Sequence, residues 1–268
     1  MRGIKTSVFV TLVGAFSLFG FVPSAYAIPI GWVCMGSCGT LGADGVVTAP
    51  PSGATYDYVS TNGGLVLGAQ DLNLGSETNG SILTSVAFAA NAGDPLSFYF
   101  NYVTSDGAGF ADYAWAELID TATNTTSALL FTARTTPGGD TAPGFGMPAN
   151  SATLNPASTP IIPGGPAWSA LGGSSGDCFS TGCGYTGWIQ STYVIPNAGT
   201  YALKFGTVNW SDQIFDSGLA FAGTTVAGVP IDPNTPGAPV PEPATMLLFG
   251  SGLLAVARKV RSSRRKSE

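Results

Sequence analysis

Carboxylates are the side chains of this sequence that could do chemistry, because the chain contains no histidine. That absence removes Ser-His-Asp and Cys-His arrangements, His-ligated catalytic metals and the commonest general base. Four acids lie on or beside one predicted β-hairpin: Asp106, Asp112, Glu117 and Asp120. Two of them could cleave a glycosidic bond if they faced each other across a cleft, about 5–9 Å apart. Acids in β-turns more often stay solvated or cap the turn, so we predict no enzyme and assign no catalytic residue.

The turn from Asp106 to Asp112 joins two predicted strands and holds two carboxylates and two glycines. Hard oxygen ligands on a glycine-bent loop suit calcium, although the spacing is not that of an EF-hand. Two interpretations stay open, a calcium site at Asp106 and Asp112 or a simple turn-forming role for both. We assign no other cofactor.

A second candidate region runs through residues 209–221, where aromatic rings mix with acids and amides. Sugar-binding faces use such mixtures, because rings stack on sugars, so Trp210, Asp212 and Asp216 form a candidate ligand face. The alternative interpretation places Trp210 and Phe215 in the core, where large aromatic side chains are usually found.

Four cysteines stand in two close pairs, Cys34 with Cys38 and Cys178 with Cys183. In an oxidising compartment an even count predicts two disulfides, for which three pairings exist. We expect pairing within each cluster. The alternative is a zinc site, but the spacings do not match, the chain lacks histidine and export favours oxidation.

The elements that must position these residues are β-strands. Glycine (37) and proline (19) are abundant, which is typical of a turn-rich β protein. Patterns typical of strands occupy residues 81–89, 96–102, 113–119, 127–132, 188–195, 201–210 and 218–226. Many short antiparallel strands favour a sandwich over any α/β fold. We therefore predict an all-β fold, with one antiparallel β-sandwich or jelly-roll-like domain over residues 28–235.

Residues 137–187 differ from the rest of this domain, because they are rich in proline and glycine and poor in apolar pairs. We predict a long loop insertion here. Loops of that length are uncommon unless they are functional or disordered, so this segment is also a candidate variable binding surface.

The charge of the domain limits its partners. Between Ile28 and Val240 the chain has fourteen acids and two bases, Arg134 and Lys204, a net charge of −12. Binding to nucleic acids or anionic lipids requires clustered Lys and Arg, so we exclude nucleic acid as a partner. An acidic surface is compatible with divalent cations, and its plainer interpretation is solubility after export.

Residues 1–27 form a predicted secretory signal, with an N-terminal signal helix. Basic Arg2 and Lys5 precede an apolar run over residues 8–22, and small Ala25 and Ala27 stand where signal peptidase cleaves. The apolar run is shorter than the roughly 18 residues that span a bilayer, which disfavours an uncleaved anchor.

Residues 236–268 form a tail in three parts. Pro241-Glu242-Pro243 comes first, an apolar segment over residues 244–257 follows, and residues 258–266 hold six Lys or Arg. As a helix, the apolar segment would rise about 21 Å, less than the roughly 30 Å hydrocarbon core. We expect a short transmembrane helix that anchors the chain transiently in the inner membrane, with the basic cluster on the cytoplasmic side.

This order of parts resembles the PEP-CTERM sorting domain of Gram-negative bacteria. The resemblance implies that an exosortase-type membrane protease recognises Pro241, Glu242 and Pro243 and processes the tail. The two prolines would present an extended backbone to that enzyme. Residues 113–118 and 216–221 also look like those of uncharacterised exported PEP-CTERM proteins, which implies a shared β-rich domain and no activity. The alternative is an ordinary C-terminal anchor after a proline linker.

Three functions follow as hypotheses. The first is a non-catalytic structural or adhesive protein at the outer surface, or in the exopolysaccharide of a biofilm matrix. The second is a calcium-dependent carbohydrate-binding module. The third is a carboxylate-based polysaccharide hydrolase.

Overall fold

Antiparallel strands are the main elements of the molecule in the computed structural model, which describes residues 28–69 and 71–231. The strands are β1 (Val33–Met35), β2 (Ser37–Gly42), β3 (Thr55–Ser60), β4 (Leu65–Val66), β5 (Glu77–Thr84), β6 (Phe88–Ala90), β7 (Pro95–Thr104), β8 (Tyr113–Asp120), β9 (Thr125–Arg134), β10 (Asp140–Ala142), β11 (Thr153–Asn155), β12 (Thr159–Pro160), β13 (Ile162–Pro163), β14 (Gly184–Tyr185), β15 (Ile189–Val194), β16 (Gly199–Trp210), β17 (Ser217–Val226) and β18 (Val229–Pro230). Two 3₁₀ helices, Ala108–Phe110 and Ser169–Ser174, interrupt them.

The strands form two large antiparallel sheets that pack face to face. A seven-stranded sheet has the order β1-β5-β16-β8-β9, with β4 beside β5 and β6 beside β16. A nine-stranded sheet has the order β11-β15-β7-β17-β3-β2, extended by β13, β14 and β18. A separate ribbon pairs β10 with β12. The predicted all-β sandwich is confirmed, and each of the seven predicted strand segments coincides with observed strands.

The core lies between the two sheets, because successive side chains of a strand point alternately towards the facing sheet and away from it. Along β7, Leu96, Phe98 and Phe100 are buried between the sheets. Aromatic rings fill the centre: Phe205 stacks on Phe221 with ring centroids 3.8 Å apart, as Phe100 does on Phe131. Burying a large aromatic side chain removes about 150–250 Å² from water, so these rings dominate the stability of the sandwich.

The chain crosses from one sheet to the other between β1 and β2. Gly36 forms this crossing with φ +91°, and a Cβ there would lie 2.3 Å from the Ser81 hydroxyl oxygen, so only glycine fits. The disulfide between Cys34 and Cys38 spans the crossing. It links β1 of the seven-stranded sheet to β2 of the nine-stranded sheet.

Residues 137–187 differ from the predicted loop, because they contain short strands and a 3₁₀ helix and pack closely on both sheets. Strands β11 and β14 extend the nine-stranded sheet. Trp168 is 1% exposed, and its indole N–H donates to the Tyr56 hydroxyl at 2.9 Å. Its ring lies over Gly218 of β17, where a Cβ would come within 2.6 Å. This segment covers the outer face of the sheet with a second, smaller hydrophobic cluster.

The predicted signal helix, the apolar helix of residues 244–257 and the Pro241-Glu242-Pro243 motif lie outside the described residues. Within residues 28–69 and 71–231, no helix is long and apolar enough to cross a bilayer.

Candidate functional site

The interior of the sandwich changes character at one end, where β3, β7 and β16 finish and β5, β8 and β17 begin. Polar side chains replace the aromatic core there and are nevertheless at most 8% exposed. We call this region the polar end; it comprises Thr61, Asn79, Thr104, Asp106, Asp112, Asn209 and Ser217. Buried polar groups are costly unless they are hydrogen-bonded, so the contacts of each acid decide its role.

Asp112 lies inside the sandwich, immediately before β8. One carboxylate oxygen accepts a hydrogen bond from the Trp210 amide at 2.8 Å, and the other accepts from the Ser217 hydroxyl at 2.6 Å. Burial, and next the charge of Asp106, raises the pKa of Asp112 well above its usual range. The carboxyl therefore ties β8 to β16 and β17, and it keeps a proton more readily than an exposed aspartate.

Asp106 lies next to Asp112 in the polar end, after β7. Its Oδ1 accepts from the Gly107 amide at 2.7 Å, whereas its Oδ2 is buried and has no hydrogen-bond partner among the described residues. A chain of hydroxyls joins the two acids: the Asp106 amide donates to Thr104 Oγ1, which lies 2.7 Å from Ser217 Oγ. Burial, with a smaller contribution from the charge of Asp212, raises the pKa of Asp106 to about 7.

Asp212 and Asp216 occupy the loop between β16 and β17 and have different environments. Asp216 holds two other segments against this loop, because its carboxylate accepts hydrogen bonds from the hydroxyls of Thr61 at 3.0 Å and Ser174 at 3.1 Å. Burial raises the pKa of Asp216. Asp212 is half-buried and accepts from the Ile214 amide at 2.9 Å.

Trp210 does not form an open ring platform with these two acids. The Arg134 guanidinium lies over its ring, 4.2 Å from the centroid, and the Tyr113 ring packs against it at 6.1 Å. Arg134 Nε donates to the Ala111 carbonyl at 2.8 Å. The structure thus places Trp210, Asp212 and Asp216 close together, at the end of β16 and in the loop that follows it. The Trp210 ring, however, stacks against the Arg134 guanidinium on the outer face of the seven-stranded sheet.

Glu77 anchors the same stack from β5. Its carboxylate accepts from the Tyr113 hydroxyl at 2.7 Å and from the amides of Leu74 and Gly75. Burial alone would raise the pKa of Glu77, but these hydrogen bonds outweigh it and lower the pKa.

The remaining acids of the predicted hairpin lie elsewhere. Asp120 is at the opposite end of β8 from Asp112, where its carboxylate caps a turn by accepting from the Ala122 amide at 2.8 Å. Glu117 is buried beside Lys204, its cross-strand neighbour on β16. Burial, followed by the charge of Asp71, raises the pKa of Glu117. The four acids therefore do not gather around one cleft: Asp106 and Asp112 lie together, whereas Glu117 and Asp120 lie apart from them.

Three phenylalanine side chains meet at the surface directly outside the polar end. Phe110 comes from the first 3₁₀ helix, Phe179 from the loop after the second, and Phe215 from the β16–β17 loop. The rings contact in a row, Phe110 to Phe179 at 5.6 Å and Phe179 to Phe215 at 5.0 Å, and Phe179 is 48% exposed. Phe215 holds a left-handed backbone conformation with φ +61°. We call these three residues the aromatic patch.

The second disulfide positions this patch. Cys178 pairs with Cys183, so both disulfides form within their clusters, as expected. The loop that it closes packs on the segment between β7 and the first 3₁₀ helix, where the Phe179 amide donates to the Ser105 carbonyl at 2.9 Å. A Cβ on Gly107 would lie 1.8 Å from the Ser180 hydroxyl, which shows how closely the two segments approach. The aromatic patch was not identified from the sequence, because its members are far apart along the chain; the disulfide loop was the available signal.

Among the described residues, no group of three or more His, Cys, Asp or Glu side chains is placed to hold a metal ion. Asp106 and Asp112 form a pair, because they lie close enough for the charge of Asp106 to raise the pKa of Asp112. Any cation at this position would therefore need neutral oxygens as its other ligands.

Comparison with known proteins identifies the tail. The PEP-CTERM protein-sorting motif matches residues 239–265, which include Pro241, Glu242 and Pro243. The chain therefore carries an exosortase-sorting motif, which indicates an exported protein. No curated protein matches the chain.

Two solved structures match this chain at low similarity. One is the K1 cleaved adhesin domain of Lys-gingipain from Porphyromonas gingivalis W83, with 14% identity, a TM-score of 0.33, and coverage of 74% of this chain and 94% of that one. The other is the CBM22-1-GH10 part of xylanase 10B from Clostridium thermocellum, complexed with xylohexaose, with 11% identity, a TM-score of 0.31, and coverage of 75% and 27%.

Proposed function

We propose that this protein is a non-catalytic surface component, sorted by an exosortase to the outer surface of a Gram-negative bacterium, where it has a structural or adhesive role in the exopolysaccharide matrix. The observation that carries the proposal is the sorting motif at residues 239–265. The β-sandwich that precedes this motif supports a passive role. Asp112, Asp120 and Asp216 are each hydrogen-bonded to neighbouring strands or turns.

The charge of the domain also fits a matrix component. Its net charge of −12 between Ile28 and Val240 keeps an exported chain soluble and disfavours anionic partners. The two disulfides maintain the sandwich outside the cell, where no cytoplasmic reductant reaches it.

Replacing Pro241 and Pro243 by Ala tests the sorting role, because it removes the rigid extended backbone that the exosortase would recognise. We expect wild-type protein at the surface or in the medium to have lost residues 258–268 by intact mass. The double variant should accumulate, unprocessed, in the inner membrane fraction.

Replacing Pro233 and Pro236 by Ala is the matched control, since both prolines precede the matched motif. The control variant should be processed like the wild type. Wild-type protein that keeps residues 258–268 at the cell surface would contradict the proposal and support a plain membrane anchor.

A second candidate function, a calcium-dependent carbohydrate-binding module, is favoured by the aromatic patch. Exposed aromatic rings beside acids can stack on the apolar faces of sugars while carboxylates accept from sugar hydroxyls. Phe179→Ala should then weaken binding to the cell's own exopolysaccharide at least tenfold, measured by affinity electrophoresis with calcium and with chelator. Phe145→Ala is the control, because Phe145 is 64% exposed on a different loop. No retardation of the wild type under either condition would eliminate this candidate.

A further inference from the structure

The two acids of the polar end are buried and, among residues 28–69 and 71–231, have only neutral partners in hydrogen-bond contact. Their carboxylates accept from the amides of Gly107 and Trp210 and from the hydroxyl of Ser217. Arg134, one of the two bases of the domain, donates to the Ala111 carbonyl and lies over Trp210 instead. Two ionised carboxylates in this position would repel each other in a medium that solvates them poorly.

One oxygen of the pair is unsatisfied. Asp106 is 1% exposed, and its Oδ2 has no hydrogen-bond partner in the part of the chain that the structure describes. Buried carboxylate oxygens are almost always hydrogen-bonded, to protein or to ordered water, or bound to a cation, so this atom is free to accept a water or a cation. In the same polar end, the Oδ1 atom of the fully buried Asn209 also lacks a partner among the described residues.

We propose that Asp106 and Asp112 bind one hard divalent cation, calcium, whose remaining ligands are neutral oxygens. Calcium accepts six to eight oxygen ligands, including carbonyls, amide oxygens and water as well as carboxylates. Two neutral oxygens lie beside the pair: the Thr104 hydroxyl accepts from the Asp106 amide and the Ser217 hydroxyl donates to the Asp112 carboxylate, and the two hydroxyls are 2.7 Å apart. A doubly charged ion would neutralise both carboxylates and satisfy Asp106 Oδ2.

The cation would stabilise the loops that carry the aromatic patch. Asp106 immediately precedes Gly107 and the 3₁₀ helix Ala108–Phe110. That helix is tied to the disulfide loop by a hydrogen bond from the Ala108 amide to the Thr181 carbonyl at 3.0 Å. The site is independent of the sorting motif, so failure of either proposal leaves the other unaffected.

The test uses the full-length chain, purified in detergent, treated with EGTA and returned to chelator-free buffer at pH 7.5. Calcium should bind with a stoichiometry of one by isothermal titration calorimetry. At about 100 times the dissociation constant it should raise the unfolding midpoint by roughly 5 °C or more. Asp106→Asn keeps an oxygen for the Gly107 amide and removes the charge, so it should weaken calcium binding at least tenfold. In EGTA this variant should be more stable than the wild type, because the repulsion is gone.

Asp177→Asn is the matched control, since Asp177 is an exposed acid close in sequence to Phe179. It should bind calcium like the wild type. The proposal is overturned if the EGTA-treated wild type shows neither calcium binding nor a shift of its midpoint. It is equally overturned if Asp106→Asn responds to calcium as strongly as the wild type, because the ion would then lie elsewhere.

Discussion

Asp106 and Asp112 differ from ordinary surface aspartates through burial, and this gives the protein an unusual pH dependence. Burial raises the pKa of Asp106 from 3.8 to about 7 and that of Asp112 in the same direction. Two other charged groups lie near the pair. The charge of Asp212 raises both pKa values. Burial lowers the pKa of Arg134, and the charge of Asp112 is among the groups that oppose this decrease. A carboxyl with a raised pKa binds its proton more tightly in the folded chain than in the unfolded one. Its contribution to stability is therefore lost as the pH rises.

We predict that, in EGTA, the free energy of unfolding falls by roughly 2–4 kcal/mol between pH 5 and pH 8. Urea unfolding followed by tryptophan fluorescence at each pH measures it. Asp106→Asn should have a clearly smaller decrease, since the asparagine does not titrate. A wild-type stability that rises over this range would show that both carboxylates are ionised and stabilised in the folded state.

The sequence allowed part of this site to be predicted. The Asp-Gly turn singled out Asp106 and Asp112, and the short cysteine spacings indicated local disulfides, which the structure confirms. The burial of Asp112 could not be predicted, because its inward direction depends on the register of β8 against β16. The interpretation of Trp210 as a ligand-facing ring failed to anticipate Arg134, which is distant in sequence and reaches it across the sheet.

At the scale of elements, the predictable strands are those with long apolar patterns. Strand β7 points Leu96, Phe98 and Phe100, at every second position, into the core, whereas β8 and β17 are buried along almost their whole length and form nearly continuous apolar runs. Strand β3 has the sequence TYDYVS and β2 the sequence SCGTLG, which carry little alternation. Their pairing with each other and with β17 is supplied by neighbouring strands rather than by their own composition.

The short strands of residues 137–187 escaped prediction for a related reason. Strands β12, β13 and β14 are two residues long, so no periodicity can develop within them. Their place is set by backbone pairing with β10 and β7 and by the anchoring of one large side chain, Trp168. Glycine and proline are typical of loops, which is why they suggested one here. They also occur in tightly packed irregular structure, such as Gly165 against the Gly176 carbonyl.

At the scale of the whole molecule, the sandwich has apolar clusters on its outer faces as well as between its sheets. The cluster around Trp168 includes Val47, Tyr56 and Val103, which come from three separate parts of the chain. The Ser60 hydroxyl donates to the Ala170 carbonyl at 2.6 Å, which ties the same segment to β3. We therefore predict that residues 137–187 unfold together with the sandwich rather than as a separate unit.

Trp168→Ala tests that view directly. The substitution removes a fully buried ring and leaves the Tyr56 hydroxyl without its donor, so it should cost about 3–5 kcal/mol of global stability. Unfolding should remain a single transition by calorimetry, shifted to lower temperature, because the cluster and the sheets unfold together. Phe145→Ala, in the same segment but 64% exposed, should change stability by less than about 0.5 kcal/mol. If Trp168→Ala left the main transition in place and only added a separate early one, residues 137–187 would be an independent insertion on a self-sufficient sandwich.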